Sequence, residues 1–381
     1  MTTHQDAAGA SQAGPRLLVN AEPFGFGPAA AASALAAELA PDCARLDYVG
    51  GGHTLDLQHR PPYHAVHDTT GLSGEEVLRR LRAVAPRYDL FVTAMDFRMA
   101  ELAGRAGLPV ALYDALTWYW PRLPAAARAA ELYLAQDFFG VRERLAADPA
   151  LGERALVVPP LAPPRRRRRP GRHVLVNLGG LQNPYWEPGD ALAYARLLLG
   201  ALRAAPVAPG PLVVTTSRQV AAALGEPGAG PLPREEVLDL MGTAAFACMT
   251  PGLGNIYDAA ATGVPTLWLP AANASHPAQV RLLERHGYCD ARLDWADVGR
   301  PVDYGAADPE VSRALARLLR EAAGRAGGEA GLRAELAARI AESTRGLAAS
   351  TGKAQGLLDQ FGHGGARRAA HALLRRARRR S

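Results

Sequence analysis

The chain runs twice through one pattern, short apolar runs alternating with helical ones. Between the two passes lies a segment in which neither period survives. That segment, 159–171, reads PPLAPPRRRRRPG. Proline stiffens such a stretch and clustered like charge extends it, so it reads as an interdomain linker. Before it, strand-like runs at 16–21, 45–49, 89–94, 110–113, 132–135 and 156–158 alternate with helical runs at 29–40, 75–84 and 98–106. After it the pattern restarts. Strands are expected at 173–177, 212–216, 245–250 and 265–269, and helices at 192–204, 235–241, 256–262 and 279–286. Short strands alternating with helices predict parallel, doubly wound sheets. The fold expected is therefore α/β, with two Rossmann-like domains facing a cleft. In such sheets ligands bind outside the carboxyl ends of the strands.

The domain division that follows is a disordered N-terminus at 1–14, a first Rossmann-like domain at 15–160, a Pro/Arg linker at 161–171, a second Rossmann-like domain at 172–361 and a basic tail at 362–381. Further helices are expected at 310–325 and 332–348. The net charge of +6 is unevenly spread. Arg165 to Arg169 and seven arginines between 367 and 380 carry twelve positive charges, and removing them from +6 leaves −6. The folded body is thus mildly acidic, which speaks against a nucleic-acid footprint. Lys353 is the single lysine. The five linker arginines read as a solvated, self-repelling linker, and the tail as a disordered basic end. No apolar run of membrane-spanning length exists and the polar start is not a secretory signal, so no integral membrane segment is expected. Three scattered cysteines, Cys43, Cys248 and Cys289, suit a reducing, cytoplasmic setting. Oligomeric state is left open.

The segment 250–287, TPGLGNIYDAAATGVPTLWLPAANASHPAQVRLLERHG, carries the most chemistry. Gly252 and Gly254 leave room for a backbone to approach a ligand. A helix beginning near Asn255 would offer free amides and a positive dipole end, which suit a diphosphate. Asp258, one turn in, can reach ribose hydroxyls. Asn273, Ser275, His276 and Gln279 supply the neutral donors and acceptors that sugar hydroxyls require. The plainer alternative is an ordinary strand–turn–helix.

This segment resembles the donor-binding motif of GT-B glycosyltransferases, in the branch of the peptidoglycan GlcNAc transferase and the UDP-glycosyltransferases of natural products and plants. The matching features are the turn 252–255, Asp258, the alanines 259–261, Gly263-Val264-Pro265, Pro270 and the loop 273–279. The sequence departs from the family where Asp258 replaces the usual Glu and where Ser275-His276 replace the family's Asp-Gln. The resemblance implies sugar transfer from a nucleotide diphosphate sugar, with a UDP-sugar as co-substrate and no other cofactor. No DxD motif is present, so no metal is implied. The partners implied are a small-molecule donor and a small-molecule acceptor. Gly179-Gly180 resembles the loop that faces the diphosphate, or is only a tight turn. Thr215 and Ser217 either border the nucleobase or cap the next helix.

By the same resemblance, the loop 22–28 (EPFGFGP) carries acceptor and base chemistry. Glu22 sits at a strand's carboxyl end, where a carboxylate can take an acceptor's proton. His53, after Gly50–Gly52, is the rival base because its pKa lies near neutrality. Glu22 is the preferred base. Phe24, Phe26, Asp96, Asp114 and Trp118 are the acceptor-side candidates, although Trp118-Tyr119-Trp120 equally suits a core corner. The Glu-x-Phe-Gly-aromatic-Gly loop also resembles that of the cytosylglucuronate synthases of nucleoside-antibiotic pathways, which join glucuronate from UDP-glucuronate to cytosine. The alternative from another class is a non-catalytic protein of this fold that binds a nucleotide or a partner.

Overall fold

A computed structural model describes residues 14–58, 62–206, 210–324 and 328–379. The expected N-terminal tail falls outside them apart from Gly14. The first half is β1 (Arg16–Ala21), α1 (Gly27–Leu39), β2 (Arg45–Gly50), α2 (Leu55–Gln58), β3 (Ala65–Asp68), α3 (Gly74–Val84), β4 (Leu90–Ala94), α4 (Phe97–Arg105), β5 (Val110–Asp114), α5 (Ala125–Ala129), β6 (Leu132–Gln136), α6 (Val141–Ala146) and β7 (Ala155–Val158). These strands form one parallel sheet in the order β3-β2-β1-β4-β5-β6-β7. Buried residues of β1 alternate between its two faces: Leu17 and Val19 pack on one side, Leu18 on the other. Helices cover both faces, which is why the strands read as continuous apolar runs. Of the strands in this sheet, β3 is the one the sequence pattern does not show. It is an edge strand whose alternate residues are half-buried and exposed.

The second half contains β8 (Val174–Asn177), α7 (Pro188–Ala204), β9 (Leu212–Thr215), α8 (Arg218–Leu224), α9 (Arg234–Thr243), β10 (Phe246–Met249), α10 (Leu253–Thr262), β11 (Thr266–Trp268), α11 (Ser275–Arg285) and β12 (Ala291–Arg292). Four helices follow: α12 (Asp308–Gly324), α13 (Gly328–Ser343), α14 (Gly356–Phe361) and α15 (Gly365–Arg378). The second sheet, also parallel, has the order β12-β11-β10-β8-β9. Its core is continuous with one face of the first sheet through Phe138, Tyr257 and Phe361, whose rings meet Phe138 at 6.2 and 5.9 Å.

Two expectations fail, the second in part. The basic tail is helix α15, which returns to the first sheet and lays Ala369, Ala370, Leu373 and Ala377 against α1, itself lined there by Ala29, Ala32 and Ala36. Alanine on both helices lets the backbones approach closely. The arginines take the outer face, where Arg376 pairs with Glu131 at 2.6 Å and Arg378 with Asp42 at 3.4 Å. The linker is exposed at Arg165, Arg167 and Arg169, as a solvated segment would be, but it is not free of the second domain. Arg168 donates to the carbonyls of Ala244, Ala245 and Ser350, Arg166 pairs with Glu235 and Asp239, and Arg165 reaches Asp359 at 2.6 Å. These three arginines find carbonyl or carboxylate partners on the second domain, while Arg167 and Arg169 stay exposed.

Leu373→Ala should therefore destabilise the protein by about 2–5 kcal/mol, the usual cost of truncating a buried leucine. Removal of 362–379 should unfold the first domain's outer face rather than leave it intact. Urea denaturation checks both, and a wild-type midpoint for Leu373→Ala would show that α15 contributes nothing.

Candidate functional site at the facing switch points

In a parallel sheet the strand order reverses at one point, and there the loops diverge to leave a crevice. In the first sheet that point lies between β1 and β4; in the second it lies between β8 and β10. The loop after β1 carries Glu22 and the loop after β4 carries Asp96. Asn177 ends β8, and the turn after β10 leads to Gly252. Glu22, Asp96 and Gly252 thus fall beside the two crevices.

On the first-domain side, Glu22, Asp96 and Asp114 follow or end three neighbouring strands. Burial pushes the Glu22 carboxyl from its usual 4.5 up to about 8, and the charges of Asp96 and Asp114 add to the shift. Among the described residues no hydrogen-bond donor reaches that carboxylate. Asp96 caps α4 by accepting from the Met99 amide at 2.8 Å, and burial raises its pKa too. The residue before it, Met95, has φ +65°, a left-handed conformation that costs a non-glycine residue about 1–3 kcal/mol. Asp114 is fully buried and accepts from the Leu116 amide (2.6 Å), Trp120 Nε1 (2.8 Å) and Tyr133 Oη (2.6 Å). With its oxygens so occupied it does not reach an acceptor, and it acts on the site through charge. Trp118 packs on Tyr119 and Phe138 in the core, with its ring nitrogen buried and unpartnered. It is a core corner.

His53 Nε2 lies 2.5 Å from the Gly25 carbonyl, which can only accept, so this nitrogen carries the proton. Its ring also rests 5.7 Å from Phe26. Burial lowers its pKa, so it is neutral. The Gly25 amide donates to the Gln182 carbonyl at 3.0 Å, and a Cβ on Gly180 would lie 2.8 Å from the Gly25 carbonyl carbon. The Phe24–Phe26 loop and the Gly179–Gln182 loop therefore meet directly across the crevice. Leu181, beside Gly180, has φ +47°.

On the second-domain side α10 begins at Leu253 with Gly252 as its N-cap, two residues earlier than the pattern suggested. Asn255 lies in the first turn; it donates to the Thr250 carbonyl at 2.9 Å and accepts from Asn177 at 3.0 Å. It ties the ends of β8 and β10 together. Gly179, at φ +63°, receives Thr216 Oγ1 on its carbonyl at 3.1 Å. Thr215 donates to the Gly230 carbonyl at 3.0 Å, and the Ser217 hydroxyl is buried and unpartnered. Asp258 departs from expectation. Arg234 Nη2 donates to one of its oxygens at 2.5 Å and Nε lies 3.4 Å from the other. In this arrangement the carboxylate is turned to Arg234 and not to a ribose.

The polar loop is also turned inward. Asn273 Oδ1 accepts from the Ser275 amide and hydroxyl and from the His276 amide, while its Nδ2 meets His276 Nε2 at 2.8 Å. Burial drives the His276 pKa down to about 3, so it is neutral. Gln279 donates to Ser275 Oγ at 3.1 Å and leaves its carbonyl oxygen buried without a partner. Apart from that oxygen, these groups bond to one another. His276 lines a separate cavity of about 310 Å³ with Pro251, Arg281 and Arg292.

One cavity of about 950 Å³ gathers Phe26, Gly179, Thr215, Asn255 and Asp258 in its wall, with Asn177, Asp56, Arg218 and Arg234. Asp56 and Arg218 pair at 3.3 Å. A smaller space of about 80 Å³ lies between the first turns of α1 and α10, lined by Gly27, Ala30, Gly254, Asp258 and Arg234. Arg234 went unnoticed in the sequence, yet a signal existed. It is the first residue of α9, where a cation opposes the helix dipole, so its placement answers to something else. Among the described residues no group of three His, Cys, Asp or Glu side chains is arranged to hold a metal, and no helix is long and apolar enough to cross a membrane.

No family model matches the chain, and no curated protein matches its sequence. Solved structures match over almost the whole length. The glycotransferase of kitacinnamycin shares 19% identity with a TM-score of 0.50, covering 95% of this chain and 99% of that one. LpCGTa in complex with UDP shares 13% with a TM-score of 0.51, covering 96% and 99%. A UDP-glucosyltransferase from Polygonum tinctorium shares 14% with a TM-score of 0.51, also covering 96% and 99%. The chain has the GT-B fold. This fold sets two Rossmann-like domains with their carboxyl strand ends facing one cleft, as the two switch points do here.

The raised Glu22 pKa has a consequence for stability. Between about 4.5 and 8 the folded protein holds a proton that the unfolded chain releases, so Glu22 costs stability progressively as pH rises through that window. Glu22→Gln removes this cost. The melting temperature of Glu22→Gln should match wild type near pH 5 and exceed it above pH 8; equal melting curves at both pH values would show that the carboxyl is not desolvated.

Proposed function

We propose that this chain is a glycosyltransferase that moves a sugar from a nucleotide diphosphate sugar, a UDP-sugar, to a small-molecule acceptor without a metal ion. The observation that carries the reading is the cavity of about 950 Å³ whose wall brings Gly179, Thr215, Asn255 and Asp258 of the second domain against Phe26 and α1 of the first. Two of the proteins similar in fold are named for UDP, one by its bound ligand and one by its donor, which supports UDP as the nucleotide.

The chemistry follows from what the two sides offer. A departing diphosphate accumulates negative charge, and on this reading the amides of the Gly252–Asn255 turn with that of Gly180 receive it, the Gly179 amide being spent on Asn177 Oδ1 at 2.9 Å. The acceptor's nucleophilic atom must lose a proton as it attacks the anomeric carbon. Glu22, a carboxylate with no competing donor, takes that proton. His53 is a poorer base here, since one nitrogen is committed to the Gly25 carbonyl. The Glu22 pKa near 8 in the free protein means that kcat/KM should climb with pH to about 8 and then level. The acceptor is read as a natural-product-sized molecule, the class to which the nucleoside-antibiotic resemblance points, and the protein as cytoplasmic.

Calorimetry with UDP in EDTA tests the donor side, and loss of binding on chelation would sink the metal-free reading. Nucleotide binding with no sugar release from any UDP-sugar would favour the non-catalytic alternative. At saturating donor, Glu22→Gln should lose at least ~100-fold in turnover, the low end for removal of a general base, with donor affinity kept. His53→Ala should stay near wild type; the opposite result would move the chemistry to the loop after β2.

A further inference from the structure

Asp258 was expected to face a ribose, yet of the Arg234–Asp258 pair it is the arginine that faces the cleft. The Asp258 side chain is 10% exposed and the Arg234 side chain 31%. Both carboxylate oxygens lie against the guanidinium, at 2.5 and 3.4 Å. Nε and Nη2 are spent on that contact, and among the described residues no acceptor reaches Nη1. For Asp258 to bind ribose hydroxyls it would have to abandon a largely buried, two-point ionic contact for neutral donors, a poor exchange.

The surroundings of the guanidinium favour an anion. Arg234 borders both the large cavity and the 80 Å³ space between the first turns of α1 and α10. Both helices start there, so both positive dipole ends point at the same small volume. The neighbouring acid, Glu235, also borders the large cavity, where it pairs with Arg166 rather than with Arg234. Placing a cation at the first position of α9 works against that helix, and the bond to Asp258 holds it there.

We propose that Arg234 is a donor-contacting residue that binds the phosphate portion of the nucleotide, and that Asp258 is a positioning residue acting through it. This rests on the nucleotide-sugar reading and assigns that site's charged contact. Arg234 presents its free N–H edge to a phosphate oxygen, while Asp258 fixes the guanidinium plane from behind.

The test uses full-length protein, UDP followed by calorimetry and uridine by ligand-observed NMR titration. Arg234→Gln should weaken UDP binding roughly 10- to 100-fold, the worth of a charge-assisted hydrogen bond, and leave uridine binding unchanged. Asp258→Asn should weaken UDP less and likewise spare uridine. Arg234→Lys, which keeps the charge and loses the planar fork, should fall between wild type and Arg234→Gln. The salt dependence of UDP binding should be shallower in Arg234→Gln than in wild type, a change that a purely structural role would not produce. The proposal is overturned if Asp258→Asn weakens uridine as much as UDP while Arg234→Gln keeps the wild-type preference for UDP; Asp258 would then contact the ribose itself. Should unmodified protein bind neither UDP nor dTDP, the nucleotide-sugar reading fails with it, and that failure shows before any variant is made.

Discussion

The cleft depends on a backbone-to-backbone contact between two loops, one from each domain. Gly25 donates its amide to the Gln182 carbonyl at 3.0 Å, and Gly180 sits so close that any side chain there would strike Gly25. Each loop leaves its sheet at a switch point, so this contact sets how closely the two crevices approach, on top of the core the two halves share around Phe138, Tyr257 and Phe361. The glycines are needed for approach as much as for conformation. Gly25 also has φ +59°, a conformation open to glycine, and its carbonyl receives His53. His53 is thereby explained as part of the joint: it holds the loop that carries Phe24 and Phe26, at the cost of its own freedom as a base.

A joint this small needs support. The chain supplies it by crossing between the domains twice, through the linker and through the segment joining α14 to α15. Arg165, Arg166 and Arg168 of the linker are tied to the second domain, and α15 is tied to α1 of the first. Tyr257 reaches the Asp137 carbonyl at 2.9 Å and Tyr119 reaches Asp308 at 2.5 Å, each bond joining the two halves. These contacts are buried or half-buried, so they are less screened by salt than the exposed arginine pairs around them.

The sequence made the fold legible because both sheets are parallel and covered on both faces. Strands such as 16–21 and 110–113 therefore stand out as unbroken apolar runs, and the structure ends them within a residue or so of that reading. What failed was whatever depends on a partner distant in sequence. Nothing in ARRAAHALLRRARRR says that alanines will meet Ala29, Ala32 and Ala36 some 340 residues earlier, so charge dominated the reading and the helix was missed. The same holds at the site. Gly252, Asn255, Gly179 and Asp258 stand out in the sequence through the local strand–turn–helix pattern, whereas Arg234 is tied to a partner 24 residues away. Asn273, Ser275 and His276 look like ligand groups in sequence but satisfy one another in three dimensions, a local network that composition cannot distinguish from an open one.

Charge in the cleft shows why the Arg234 pair stands apart. Three arginines in the wall of the large cavity have carboxylate partners: Arg218 with Asp56, Arg367 with Glu38 and Arg234 with Asp258. The first two arginine side chains are 66% and 74% exposed, so water and salt hold those pairs near zero net worth. An anion gains little by approaching them. Arg234 lies in a drier place, where the same charge acts over a lower effective dielectric. An incoming phosphate therefore meets a wall that is electrically quiet except at one point. That point lies at the amino ends of α1 and α10, so the field and the helix geometry select one location for the charged part of a ligand.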